Sequence, residues 1–248
     1  MTLFMRLTGA CGVAFFGMIS PAFAITLGAN EVVNGSFEAD DASQFGLVNT
    51  SQTLTAGSLA GTNGNSWDVF AALPGWTRGS GDAGIEIQTN GTLNSIDADD
   101  GNRYVELDSH DNGGSVGSNS SMSQVISGLA TGTYQFSFSY SPRNNNVNDN
   151  GIDYSVTPDG PDTSIAGPST VAPVSSVGSW TRVIHTFDLL SSDTVTVSFA
   201  ATGLDNTLGG FIDDVALQRV IATPLPAAVL LFASAFGIAG AVRRFKLA

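Results

Sequence analysis

Several residue types that support common chemistries are scarce in this sequence. Cysteine occurs once, at Cys11, and lysine once, at Lys246. No HExxH motif is present, so zinc-protease chemistry has no support. Because Cys11 lies in a predicted leader segment, the domain that remains has no disulfide and depends on its core, or on a metal ion, for stability.

Basic residues are scarce between the two ends of the chain. Four of the nine lie in the end segments: Arg6, Arg243, Arg244 and Lys246. All 22 acidic residues lie between these segments, where only five arginines oppose them, so this part has a net charge of −17. Such a surface repels phosphate, which excludes nucleic acid as a partner. It suits divalent cations, neutral glycans or simple solubility.

Helical periodicity is nearly absent, and short alternating stretches take its place. In YQFSFSY at 134–140, four aromatic residues share one face and polar residues the other. The same alternation predicts strands at 103–108, 180–189, 194–199 and 211–217. Polar, Gly- or Pro-containing segments predict long surface loops at 41–66 and 159–174. Strands without helices predict an all-β fold, one antiparallel β-sandwich over residues 25–221.

The first 24 residues have the pattern of a secretory signal peptide. Arg6 precedes an apolar stretch, and Ala22-Phe23-Ala24 is a small-x-small cleavage pattern. The apolar stretch is too short to span a bilayer. We therefore expect cleavage after Ala24 and export of the domain that follows.

Residues 222–248 have the pattern of a membrane tail. The 19 uncharged residues from Pro224 to Val242 would form a helix of about 28 Å, enough to cross the hydrocarbon core. Arg243, Arg244 and Lys246 follow, and the positive-inside rule places them in the cytoplasm. One interpretation of this pattern is an ordinary single-span anchor.

The order of the parts in this tail resembles a more specific signal. Pro224, Leu225, Pro226 and Ala227 open the apolar stretch, as in the PEP-CTERM class and its VPLPA variant, although Thr223 stands where that variant has valine. The resemblance implies a partner, a membrane-embedded exosortase that cuts near the proline motif. It also implies export across the inner membrane of a Gram-negative bacterium that makes extracellular polysaccharide, with the protein at the cell surface or outside the cell.

Two motifs at the ends of the domain carry a second resemblance. NGSFE ends at Glu38, and FIDDV contains Asp213. With a tryptophan between them, they resemble galactose-binding-like jelly rolls, which include several carbohydrate-binding modules. The resemblance implies a jelly-roll sandwich in which Glu38 and Asp213 hold a structural Ca²⁺. Asp213 shares a strand face with apolar residues, where a carboxylate must be paired, hydrogen-bonded or metal-bound; a capped turn and a hydrogen-bonded aspartate are the alternative.

Four residues are candidates for sugar binding, because sugar sites stack an aromatic ring on the ligand and surround it with a few polar groups. Trp76 follows a turn, and Tyr104 and Glu106 alternate with apolar residues that face inward. Arg143 follows a turn proline and can donate to paired hydroxyls. Trp76 also fits the core of a sandwich, which is the commoner place for tryptophan.

Catalysis has little support in the sequence. His110 and His185 are the only histidines, and His185 shares a face with core residues. A glycosidase needs only two carboxylates, which so acidic a chain always offers somewhere. We therefore expect an exported, non-catalytic protein that binds extracellular polysaccharide through a calcium-stabilised domain. The alternatives are a structural matrix protein without a sugar pocket and, with less support, a surface glycan hydrolase.

Overall fold

The alternating patterns form strands, and the structure, a computed structural model, contains only strands and turns in its described part. It describes residues 23–39, 46–47, 67–80, 83–93, 96–110, 117–162, 166–171, 176–191 and 193–224. The thirteen strands in these ranges are β1 Phe23–Asn30, β2 Gly46–Leu47, β3 Trp67–Leu73, β4 Trp76–Arg78, β5 Ile85–Thr89, β6 Arg103–Glu106, β7 Ser121–Ile126, β8 Gly132–Ser141, β9 Ile152–Pro158, β10 Ala166–Val171, β11 Thr181–Leu189, β12 Val195–Ala201 and β13 Phe211–Pro224.

Hydrogen bonds link most of these strands in one antiparallel path. Its order is β10-β9-β12-β7-β4-β3-β5-β6-β13-β8-β11, with β1 beside β13 and β2 beside β3. The path folds back on itself, because Phe138 of β8 lies 4.9 Å from Tyr154 and 5.0 Å from Phe199, measured between ring centroids. We name β10, β9, β12, β7, β4 and β3 layer one, and β5, β6, β13, β8 and β11 layer two.

Successive strands from β7 to β13 cross between the layers, with β9 and β10 together in layer one. Such crossovers are typical of a jelly roll. The predicted all-β antiparallel sandwich of jelly-roll type is therefore confirmed. Each strand predicted from alternation is present, and the aromatic face of 134–140 is buried in the core as expected.

Both predicted loops contain a strand. In 41–66, of which only residues 46–47 are described, β2 pairs with β3. Segment 159–174 contains strand β10, which pairs with β9 at the end of the path. The register shifts between Ala166 and Ser169, so Pro168 lies in the irregular part of the pairing. Proline is compatible with a strand at an edge or a bulge, where its missing N–H breaks no ladder hydrogen bond. The proline content that indicated a loop is therefore equally compatible with an edge strand.

Contacts divide the chain into residues 27–221 and a unit of residues 1–26 with 222–248. In the described part of this second unit, the Thr223 hydroxyl donates to the Ala24 carbonyl at 3.1 Å. Leu225, Pro226, Ala227 and the basic residues that follow lie outside the described residues, as does the signal segment before Phe23. No helix in the described ranges is long and apolar enough to cross a membrane. The signal and the sorting tail therefore stay predictions.

Candidate functional site

The structure buries Trp76, the first of the four predicted sugar-binding residues. Its side chain is 1% exposed, and its rings lie 5.8 Å from Phe37 and 6.0 Å from Phe199. The indole N–H donates to the Asn34 carbonyl at 3.1 Å. This ring belongs to the core, as the sequence left open, and offers no face to a sugar.

The other three predicted residues come together on the outer face of layer two. Arg143 Nη1 donates to both carboxylate oxygens of Glu106 at 2.5 Å. Tyr104 donates its hydroxyl to Gln88 Oε1 at 3.2 Å. The Gln88 amide in turn donates to Glu106 Oε2 at 2.5 Å. The structure therefore brings three of the four candidates together, in a group that also contains residues that the sequence reasoning missed.

Glu86 and His110 complete this group, which we call the charged cluster: Glu86, Gln88, Tyr104, Glu106, His110 and Arg143. Gln88 donates to Glu86 Oε1 at 2.9 Å, and His110 contacts Glu86 Oε2 at 2.9 Å through both its backbone N–H and Nδ1. Glu86 stands directly opposite Glu106 in the pairing of β5 with β6. The alternation in IEIQT could have indicated that Glu86 and Gln88 share one face of β5. It could not have indicated that Glu106 lies opposite Glu86.

The glutamates and the tyrosine of the charged cluster are closed to solvent, whereas the side chains of His110 and Arg143 are 36% and 15% exposed. Glu86, Glu106 and Tyr104 are 0% exposed. Burial raises the pKa of Glu106 well above its ordinary value, and the nearby Glu86 charge adds to this, while Arg143 opposes it. Burial likewise raises the pKa of Tyr104. The glutamates and Tyr104 therefore present no open surface to a polymer, and the most exposed side chain of the cluster is that of His110.

The cluster fastens loops to the sheet. Arg143, after β8, donates to the Thr207 carbonyl at 2.8 Å. Gly209, before β13, donates its N–H to Glu106 Oε1 at 2.8 Å. The ion pair between Arg143 and Glu106 therefore holds two connections in place. This structural role accounts for both residues without a ligand.

Glu38 and Asp213, the predicted calcium ligands, both bind the turn before β6. Glu38 Oε1 accepts the N–H groups of Asn102 at 2.7 Å and Arg103 at 2.6 Å. Asp213 Oδ2 accepts those of Asp99 at 2.8 Å and Asp100 at 2.9 Å.

These contacts bear on calcium in two ways. Asp213 is 0% exposed, and its hydrogen-bond partners in the described part of the chain are backbone N–H groups. Burial raises its pKa to about 8 despite those bonds, so a cation beside it would relieve a real cost. However, N–H donors already bond to one oxygen of Glu38 and to both oxygens of Asp213, and no three His, Cys, Asp or Glu residues in the described ranges are arranged to hold a metal. Calcium stays a prediction.

An open groove lies on the outer face of layer one. Its volume is about 460 Å³. It crosses β7, β12 and β9 next to the end of β4, and its lining residues are Gly79, Ser121, Met122, Ser123, Asp153, Tyr154, Ser155, Thr196, Ser198, Phe199 and Ala200. Met122, Tyr154 and Phe199 are buried in the core, so the outward side chains of the groove are small or polar.

Strand register arranges these side chains in rows across the sheet. Two rows are Ser121–Ala200–Asp153 and Ser123–Ser198–Ser155. Thr77 of β4 extends the second row beyond Ser123. With neighbouring strands about 4.8 Å apart, a row across four strands is about 14 Å long.

The groove exists because the outward residues are small. Exposed strand positions favour threonine, valine and aromatic residues, which cover the sheet with their side chains. Serine, alanine and glycine leave that space open. The Ser155 and Ser198 hydroxyls lie 2.6 Å apart and bond to each other, so the pair still offers one donor and acceptor lone pairs outward. The sequence reasoning missed these residues, because each serine is unremarkable within its own strand.

Comparison with known proteins gives only distant structural similarity. No family model matches the chain, and no curated protein is similar to it. A CBM4 structure has 17% identity and a TM-score of 0.38, over 76% of this chain and 99% of that chain. The CBM22-1 xylan-binding domain from Paenibacillus barcinonensis has 8% identity and a TM-score of 0.35, over 62% and 90%. A carbohydrate binding module from Cellvibrio mixtus lichenase 5A, in complex with cellotriose, has 16% identity and a TM-score of 0.32, over 57% of this chain and 88% of that chain. Likeness at this level carries no argument about what this chain binds.

Proposed function

We propose that this protein is exported and binds extracellular polysaccharide in the groove of layer one, without catalysing a reaction on it. The observation that carries the proposal is an open groove of about 460 Å³ whose outward side chains are small and mostly hydroxylated. This volume falls in the range of roughly 300–1,000 Å³ that is usual for ligand sites.

The chemistry of the lining suits a sugar polymer. Sugar hydroxyls both donate and accept hydrogen bonds, as serine and threonine hydroxyls do. The rows run across the strands for about 14 Å, enough for a short stretch of a polymer whose ends continue into solvent. Since the lining aromatic residues Tyr154 and Phe199 are buried in the core, we expect modest affinity that depends on hydrogen bonds.

A hydrolase is disfavoured by the acids that the groove contains. A glycosidase of the usual kind places two carboxylates on either side of the scissile bond. Among the described residues that line the groove, Asp153 is the one carboxylate. Glu86 and Glu106, which do form a close pair, are buried on the other layer.

The test is calorimetric titration of the purified protein with soluble polysaccharides, comparing wild type with Ser198→Phe. Phenylalanine at the centre of a row fills the groove but keeps strand propensity, so we expect at least about a tenfold loss of affinity with little change in Tm. Ile184→Phe is the matched control, since Ile184 is 54% exposed on layer two. Equal binding by both variants and wild type would place any sugar site elsewhere.

A structural matrix protein remains the second candidate, favoured by the acidic composition. It would show no saturable binding to any soluble glycan, with wild type and Ser198→Phe alike. Deletion would instead weaken the cohesion of the matrix around the cells.

We also propose the export route implied by the resemblance of the ends. A signal peptidase would cut after Ala24, and an exosortase would cut near Pro224 to Ala227. The intact mass of the protein from its native cells and medium tests this. A chain that begins at Ile25 and ends near the proline motif is expected, whereas a chain that retains Arg243, Arg244 and Lys246 would make the tail an ordinary anchor.

Calcium at Glu38 and Asp213 is proposed as a structural ion only. Binding to the folded state alone raises stability by mass action. We therefore expect Ca²⁺ to raise the Tm of EDTA-treated protein, and Asp213→Asn, which keeps a hydrogen-bond acceptor, to lose this response. A wild-type Tm that does not respond to Ca²⁺ would eliminate the site.

A further inference from the structure

The groove is bordered on one side by a row of larger side chains. Two positions along each strand from the row centred on Ser198, the register places Val125 opposite Thr196 and Thr196 opposite Thr157. Residues two apart on a strand share a face, so both rows face outward. We name Val125, Thr196 and Thr157 the methyl row, because each of these side chains carries at least one methyl group.

The methyl row is open to solvent at both of its ends. Val125 of β7 is 67% exposed, and Thr157 of β9 is exposed as well. Thr196 of β12, between them, is one of the residues that line the groove. Branched side chains stand higher on the sheet than serine, so the methyl row forms a wall beside the groove. Val125 gives this wall an apolar surface that a ligand in the groove can cover.

The distance between the two rows suits a sugar ring with a substituent. Residues two apart on a strand are about 7 Å apart, so a ring over Ser198 lies beside the methyl row. A ring hydroxyl on that edge would face methyl groups instead of water, which is unfavourable without a hydrogen-bond partner. An acetyl group on that edge would present its own methyl group, which lies beyond an ester or amide link and so reaches further from the ring. Contact between the methyl groups removes apolar surface from water.

We propose that the methyl row makes the groove selective for acetylated polysaccharides. This inference rests on the proposed function, since it names the class of glycan that the same groove takes. The hydroxyl groups of the sugar ring bond to the serines, and the methyl group of the acetyl substituent packs against Val125. N-acetyl and O-acetyl groups offer the same methyl group, so either kind of acetylation fits the wall.

The size of the effect follows from the apolar area that one methyl group covers. Complete burial of such a group corresponds to about fourfold in affinity. The wall is open to solvent on its far side, so burial is incomplete. We therefore expect a preference of about two- to fourfold for an acetylated glycan over its unacetylated counterpart. Because the contact is apolar, the preference should persist when sodium chloride is added, which would weaken an exposed ionic contact.

The experiment titrates two pairs of trimers into the full-length protein. Triacetylchitotriose and cellotriose are both β-1,4-linked and differ in the N-acetyl groups; O-acetylated xylotriose and its saponified form differ in the O-acetyl groups. The proteins are wild type, Val125→Thr and Ile184→Thr. Threonine keeps the branched shape and strand propensity of valine but replaces one methyl group with a hydroxyl group. Ile184, 54% exposed on layer two, controls for the loss of an exposed apolar side chain.

The expected result is tighter binding of the acetylated trimer, in at least one pair, by wild type and by Ile184→Thr. Val125→Thr should lose most of this preference while its affinity for the unacetylated trimer stays the same. The pair that shows the preference identifies the kind of acetyl group.

Three results would overturn the inference while glycan binding stands: a preference that Val125→Thr retains, a preference that Ile184→Thr loses equally, and no preference in wild type. The same holds if wild type binds other glycans but none of these trimers. If wild type binds neither these trimers nor any glycan in the Ser198→Phe experiment, the proposed function fails, and the inference fails with it.

Discussion

The two outer faces of the sandwich are built in opposite ways. The outer face of layer two has the charged cluster, whose glutamates are 0% exposed and tied to loops. The outer face of layer one has small neutral side chains around one aspartate, and these remain partly open to solvent.

The difference shows that side chains with many hydrogen-bonding groups are not always those that a ligand can reach. Tyr104, Glu106 and Arg143 have the chemistry of a sugar site, but here their hydrogen-bonding groups are used by the protein itself. The groove has simpler chemistry and free space. We therefore expect substitutions in the charged cluster to change stability, and substitutions in the groove to change binding.

The largest expected effect comes from breaking the buried ion pair. Arg143→Ala leaves Glu106 buried without its cation, which costs about 3–5 kcal/mol in the free energy of unfolding. Denaturant titration measures it. The matched control is Arg219→Ala, because Arg219 is exposed and donates to the Thr131 carbonyl at an exposed position, where a substitution changes the free energy of unfolding by about 0.5 kcal/mol. Equal losses would mean that the cluster is solvated.

A smaller effect is expected from pH. Burial raises the pKa of Asp68 to about 6 and that of Asp213 to about 8. The folded state therefore holds protons that the unfolded chain releases near pH 4, so stability from these groups is present below about pH 4 and is lost as pH rises through about 6 and 8. Hydrogen bonds from Ser118 lower the pKa of Asp205. The stability that Asp205 contributes is therefore lost as pH falls, and only near and below its ordinary pKa.

We expect the free energy of unfolding to fall by a few kcal/mol between pH 5 and pH 9, since each pH unit between the unfolded and the folded pKa of one group costs about 1.4 kcal/mol. Denaturant titrations at several pH values check this. The double variant Asp68→Asn with Asp213→Asn should make the fall smaller, and the part that remains comes from Glu106, whose pKa is also raised by burial. A wild-type profile that is already flat, or one that rises over this window, would show that these carboxyls are not buried in solution.

Third in size is the loss of the amide that links the two glutamates. Gln88→Leu removes the donor shared by Glu86 and Glu106 and the acceptor of the Tyr104 hydroxyl. Leaving buried groups without partners costs about 1–3 kcal/mol. Gln135→Leu, on a partly exposed position of β8, is the control and should change the Tm little. A large loss of stability in Gln135→Leu, with little loss in Gln88→Leu, would contradict the expectation that the buried position is the more sensitive one.

The smallest effect on stability is expected in the groove. Ser198→Ala removes the hydroxyl that bonds to Ser155, at a partly exposed position where a substitution changes the free energy of unfolding by about 0.5 kcal/mol or less. Its affinity for polysaccharide should nevertheless fall, because the row loses a hydrogen-bonding group. Destabilisation as large as in Gln88→Leu would show that layer one is covered in solution.

Much of the fold could be predicted from local pattern, because alternation with period two reports which strand face is buried. The aromatic residues of 134–140 are an example, since each contacts the core as expected. Trp76 shows the limit of this method. A tryptophan after a turn fits either the core or a surface, and only the packing of Phe37 and Phe199 against it decides.

By itself the sequence determined an acidic, all-β domain without disulfides, because charge, cysteine count and alternation are properties of the chain alone. Only the tertiary structure decided which polar residues are reachable. Glu86 meets Glu106, and Asp153 shares a row with Ser121, through pairings between strands far apart in the chain. No single strand predicts the loops that close over layer two or the row of small residues on layer one.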